Sequence, residues 1–230
     1  FDSIPKFVKA VLIALFGLAL FAPLPFVVIM PGDATNVLDK VITIDSKETY
    51  KPTGSLYLLA IRVTSPGAVV FSPEILFSWA SGNYTVVPRS VVYPDKVDAG
   101  VIDKNAKKDM TTSQGNARVV ALNYVHANFP DVANVSPSQI HFDVRRTGGP
   151  SGGMIFTLAI IEELTKEDLL RGRKVAGTGT IDTKGVVGPI GGIEEKIIAA
   201  KHAGATIFLA PRSNCSELNR VPEGIQVFAV

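Results

Sequence analysis

The sequence predicts an α+β domain preceded by one transmembrane helix. Three observations carry this expectation: an uncharged apolar run near the N-terminus, short β-branched runs bounded by Gly, Pro and Asn, and longer stretches with helical apolar spacing between them. With 230 residues, 47% of them hydrophobic, the chain has room for one packed domain and an appendage. Basic and acidic residues nearly balance, giving a net charge of +2 with no long run of either sign. That distribution lacks the basic stripe a nucleic-acid partner requires. The single cysteine, Cys215, cannot form an internal disulfide or a zinc cluster, and is expected to be a buried structural thiol.

Residues 10–30 carry no charge and are long enough to cross a bilayer as a helix. Ala19 and Ala22 are wrongly spaced for signal-peptide cleavage and Pro23 would follow the cut, so 1–31 is expected to be a retained, single-pass membrane anchor and 32–230 the folded domain. Pro23 and Pro25 are expected to kink or end the helix. Lys6 and Lys9 precede the run and Asp33 and Asp39 follow it, which favours a cytoplasmic N-terminus at the cell membrane and an extracytoplasmic domain.

After the anchor, strands are expected over 41–45, 56–63 and 84–92. Thr111 and Gln114 stand at capping-box spacing ahead of Val119, Val120, Leu122 and Val125, which predicts a helix over 111–126. A connection rich in Pro, Asn and Ser fills 127–139. In the strand predicted over 140–144, Ile140, Phe142 and Val144 share one face, and His141 and Asp143 the other. Glycines then interrupt the pattern at 148–153, and an almost wholly apolar helix is expected over 154–164. A strand over 175–181, a helix over 193–203 and strands over 206–210 and 225–230 complete the chain.

Ser151 thus falls at the start of a helix, where backbone amides can stabilise an oxyanion. Gly149, Gly152 and Gly153 around it are expected to leave the hydroxyl accessible to substrate. An ordinary serine-capped turn would read the same way. On a helical wheel Lys196 falls beside Ala200 and Ala203 and near Ile193, whereas Glu194, Glu195 and Lys201 point elsewhere. A lysine so placed can lose its proton near neutral pH and act as a base, or it can snorkel with its head in water.

Taken together, Gly149-Pro150-Ser151-Gly152-Gly153, then Gly177-Thr178-Gly179, then Gly188-Pro189-Ile190-Gly191-Gly192-Ile193-Glu194-Glu195-Lys196 resemble the proteolytic domain of Lon-type serine proteases in order and spacing. The resemblance runs from about 141 to 211 and puts the motif-bearing catalytic part at about 140–211. It implies a fold like the second domain of ribosomal protein S5. It also implies a catalytic dyad of Ser151 and Lys196, with Thr178 hydrogen-bonded to the lysine and Gly152 and Gly153 supporting the nucleophile. His141 and Asp143 align with polar cleft positions of such enzymes. A triad through His141 is the lesser alternative, and Asp143 receives no catalytic part, because an ionised carboxylate would raise the lysine pKa.

The N-terminal segment, together with Met110, Ser113 and Gln114 on a helix, resembles the membrane-anchored, PDZ-containing Lon-like proteases of Gram-positive bacteria. Only the short connection over 127–139 stands where they carry a PDZ domain, so that domain is expected to be absent. No phosphate-binding loop occurs, and Gly177-Thr178-Gly179 lacks the third glycine of a dinucleotide fingerprint, so no cofactor or ATP is expected in this chain. The expected activity is that of a membrane-anchored serine endopeptidase, a homo-oligomer cutting protein or peptide substrates through an acyl-enzyme. Two rivals are a non-catalytic, membrane-tethered scaffold with the same fold and another acyl hydrolase.

Overall fold

The computed structural model describes residues 4–39, 41–46, 49–93, 98–132, 134–144 and 148–230. Along the chain run α1 (Lys6–Phe21), β1 (Pro23–Leu24), β2 (Phe26–Asn36), β3 (Ile42–Ile44), β4 (Ser55–Val63) and β5 (Val70–Phe71). Then come α2 (Ser72–Ser81), β6 (Thr85–Pro88), α3 (Arg89–Val92), α4 (Ala99–Asn128), β7 (Ile140–Phe142) and α5 (Gly153–Leu164). The last elements are β8 (Lys174–Gly177), β9 (Thr180–Ile181), β10 (Val187–Gly188), α6 (Ile193–His202), β11 (Ile207–Ala210) and β12 (Gln226–Ala229). Two compact units emerge, Phe1–Met30 with Arg62–Val97, and Pro31–Ile61 with Asp98–Val230.

The expected transmembrane helix is corrected here. Among the described residues no helix is long and apolar enough to cross a membrane. Helix α1 has 16 residues, a rise of about 24 Å against a hydrocarbon core of about 30 Å. It stops at Phe21 because the backbone at Ala22 is already extended and Pro23 and Pro25 cannot donate to a helical ladder. The rest of the apolar run becomes β1 and the start of β2.

In the first unit, β1 pairs antiparallel with β5 (Pro23↔Phe71), and the start of β2 pairs antiparallel with β6 (Phe26↔Pro88 to Ile29↔Thr85). Its small core gathers Val28, Val70 and Ile75. Helix α2 went unanticipated from sequence. The strand expected over 84–92 ends at Pro88, and 89–92 form the single turn α3.

In the second unit the strand order is β12-β11-β8-β4-β2, with β4, β8, β11 and β12 parallel to one another. Side chains alternate across this sheet. Leu56, Leu58, Val175, Ile207 and Leu209 face the core built with α4 and α5, whereas Leu59, Ala176, Phe208 and Ala210 face the core built with α6. A sheet covered on both sides can hold a buried polar group on either, and here the site lies where the first residues of α5 and α6 approach it.

Helix α4 starts twelve residues ahead of the expected position. Asp98 caps it by accepting from the Gly100 amide at 2.7 Å. Thr111 is interior, its hydroxyl donating to the Lys107 carbonyl at 3.0 Å, so the expected capping box is not formed. The apolar stripe begins only at Met110 and continues through Ala117, Ala121, Leu122 and Val125, which is why periodicity found only the second half.

Candidate active site

The strand expected over 175–181 is broken at 178–179, and the break builds the site. There the backbone turns from its ladder to the segment before α5: the Gly179 amide donates to the Ser151 carbonyl at 2.8 Å, and the Met154 amide to the Gly179 carbonyl at 3.2 Å. Ser113 of α4 donates to the Pro150 carbonyl at 2.9 Å, and the Gly149 amide to the Ala106 carbonyl at 2.9 Å. Gly149 has a φ of 87°, which favours glycine. Ser151 is thus held from both sides, immediately before the N-terminus of α5.

Gly152 and Gly153 also serve close packing. Both are buried. A Cβ on Gly152 would stand 2.7 Å from Leu58 Cδ1, and one on Gly153 would meet Ser113 Oγ at 2.9 Å and the Ile181 backbone nitrogen at 3.0 Å. Glycine here lets α5 start against β9 and α4, and so sets where its first amides point.

Lys196 lies on the first turns of α6, whose N-cap is Gly192 in the left-handed region. The side chain is only 3% exposed. It does not snorkel. Its Nζ donates to Thr178 Oγ1 at 3.1 Å, and Thr178 Oγ1 in turn donates to the Ser151 carbonyl at 3.1 Å. Burial pulls the Lys196 ammonium down from 10.5 to about 8, opposed by Glu195, whose carboxylate raises it. Glu195 is also 3% exposed, although the helical wheel placed it away from the core. At the ordinary value about one amine in three thousand would be neutral at pH 7, whereas near 8 roughly one in ten is.

Ser151 and Lys196 line one cavity of about 590 Å³, with Thr180, Leu59, Ile61, Pro189 and Ile190 among its other walls. Its wall at 189–191 is fixed by a residue that carried no signal in the sequence. Asn214, 1% exposed, accepts from the Ile190 amide at 3.0 Å and donates to the Ile190 carbonyl at 2.9 Å. A buried amide satisfied by both backbone groups of one residue is a clamp.

His141 and Asp143 do not line this cavity. His141 is exposed, with Nε2 3.0 Å from Asp45 Oδ2, and Asp143 is exposed too. Cys215, expected to be buried, is exposed on a short 3-10 turn, Arg212–Glu217. Among the described residues no group of three or more His, Cys, Asp or Glu side chains could hold a metal ion.

The arrangement offers a hydroxyl before a helix start and an amine whose ammonium form is disfavoured, both opening on one apolar-walled cavity, which is what acyl transfer by a serine and a lysine base requires. The family described as the Lon protease (S16) C-terminal proteolytic domain matches residues 107–227, more than half of the chain. A Lon protease of Roseiflexus castenholzii is 34% identical over 139 residues, covering 55% of this chain and 17% of that protein. One from Dictyoglomus thermophilum is 35% identical over 115 residues, 46% of this chain and 14% of the relative. Lon protease 1 of Bacillus subtilis is 37% identical over 78 residues, 34% of this chain and 10% of the relative. The chain therefore spans less than a fifth of the length of these relatives.

Proposed function

We propose that this chain, which belongs to the family of Lon protease (S16) C-terminal proteolytic domains and so to the serine-type peptidases, is an endopeptidase whose nucleophile is Ser151 and whose general base is Lys196. The observation that carries the assignment is the buried amine of Lys196, lowered to about 8 and opening on the same cavity as Ser151. In this reading neutral Lys196 takes the Ser151 proton as Oγ attacks the scissile carbonyl, and returns it to the leaving amine. Backbone amides beside Ser151, ahead of α5, stabilise the oxyanion, and water then resolves the acyl-enzyme. Thr178 keeps the amine oriented and ties it to the Ser151 backbone.

Protein or peptide substrates, a homo-oligomeric state, which sedimentation velocity tests, and independence of ATP belong to the same reading. So does attachment to the cell membrane through α1, with the peptidase unit on the extracytoplasmic side. None of the 16 residues of α1 is buried, and its exposed large apolar residues, Phe7, Leu12, Ile13, Phe16 and Phe21 among them, leave no polar face beyond Lys6 and Lys9. A helix apolar all round belongs in a hydrophobic medium.

The test is cleavage of a labelled unfolded protein, without ATP, by the wild-type chain beside Ser151→Ala and Lys196→Ala. Each substitution is expected to lower kcat by at least about 10³-fold with folding intact. Turnover surviving in Ser151→Ala would overturn the nucleophile, and turnover surviving in Lys196→Ala the base.

A further inference from the structure

Helix α2 shows the same anomaly as α1 on a smaller scale. Its inward face consists of Ile75 and Ser78, while Leu76, Phe77 and Trp79 on the outward side are 57%, 64% and 63% exposed. A helix of a water-facing surface would be polar at those positions. Only Glu74 on α2 is charged, and between Ala10 and Tyr93 the only other charges in the first unit are Arg62 and Arg89. The Arg89 guanidinium is turned inward onto the Pro66 and Ala68 carbonyls.

The position of α2 is fixed relative to the end of α1. Ser72, its first residue, donates to the Ala19 carbonyl at 2.6 Å, and β1 pairs with β5 (Pro23↔Phe71, Leu24↔Val70) directly ahead of α2. Phe77 is steadied by the Tyr84 ring, with centroids 6.2 Å apart. These contacts hold α2 and its exposed apolar side chains beside the C-terminal end of α1.

We propose that α2 is a second membrane contact, an interfacial helix whose Leu76, Phe77 and Trp79 seat among the lipid headgroups at the level where α1 ends. Tryptophan favours that depth because its ring is apolar and its N–H is polar. With 10 residues α2 rises only about 15 Å, too short to cross a hydrocarbon core of about 30 Å, so its apolar side can only rest at the interface. The inference rests on the reading of α1 as membrane-embedded. Its consequence is that the first unit meets the bilayer at two places, which limits its tilt on the membrane.

Trp79 is the only tryptophan in the chain, so its fluorescence reports α2 alone. The full chain would be reconstituted with phosphatidylcholine vesicles containing one part in about five of phosphatidylglycerol, a composition giving a mildly anionic surface. Flotation with the vesicles reads α1, while the Trp79 emission wavelength, quenching by iodide in the water and quenching by headgroup-proximal brominated lipid read α2. The expected result is flotation together with a shift of Trp79 to shorter wavelength, loss of iodide quenching and gain of bromine quenching. Leu76→Ser with Phe77→Ser should keep flotation and restore iodide quenching. Flotation with Trp79 still open to iodide would overturn the role of α2 and leave the anchoring by α1 standing. Failure to float would overturn both. Short-wavelength emission that grows with protein concentration in the absence of vesicles would assign the face to a second copy of the chain and overturn the membrane contact.

Discussion

Helices α1 and α5 are similarly apolar in sequence and opposite in fate. Ten of the twelve residues of α5 are buried, and none of the sixteen of α1 is. Helix α5 lies on a sheet whose Leu56, Leu58 and Val175 offer a matching surface, and α4 closes over it. Among the described residues no such surface buries α1. The difference teaches that apolar composition states a need for burial without saying in what, and that a helix becomes part of an active site only where the sheet positions its first turn.

The comparison breaks most visibly if single phenylalanines are removed. Phe156→Ala on α5, at a fully buried position, should cost about 3–5 kcal/mol, measured as a fall in the denaturation midpoint. Phe16→Ala on α1, at a residue 66% exposed, should stay within about 0.5 kcal/mol in the same measurement. Equal losses would mean that α1 is packed into a core after all.

At the first turn of α5, Gly153→Ala sharpens the contrast. Its Cβ would press on the Ile181 backbone and Ser113 Oγ, so a loss of about 1–3 kcal/mol is expected, with peptidase activity falling as the turn shifts. By contrast Gly17→Ala on α1, where the added Cβ meets nothing within 4 Å, should raise helix stability slightly.

The last of these effects is the most specific to the dyad. Because the reaction needs Lys196 neutral, kcat/KM should be low below pH 8, rise through about 8 and level off above it. Thr178 accepts from the amine and so favours its charged form; Thr178→Val should therefore move the midpoint below 8 while lowering the plateau by roughly tenfold, the size of one lost hydrogen bond. A profile in which Thr178→Val shifts the midpoint upward would contradict the hydrogen-bond direction seen here.

Much of this was legible without coordinates. The short apolar strands at 56–63 and 206–210, the helical spacing in 154–164 and 193–203, and the glycine-bounded Ser151 all follow from local steric and solvation preferences that hold in any fold. The end of α1 was legible in part, since Pro23 and Pro25 were marked as breakers, yet the length that remained fell short of a span. The start of α4 was not, because the eleven residues of 99–109, six of them Asp, Lys or Asn, carry no apolar period. Neither was the role of Asn214, since a buried amide is distinguished from a surface one only by what packs around it.

Residue types and spacing alone thus determined that a serine precedes an apolar helix and that a lysine rides on the edge of another. Whether that lysine keeps its proton depended on long-range assembly: the distance between Lys196 and Thr178, the exclusion of water from the amine and the nearness of Glu195 arise from contacts between segments far apart in the chain. Desolvation and hydrogen bonding act through space, and sequence distance does not record them.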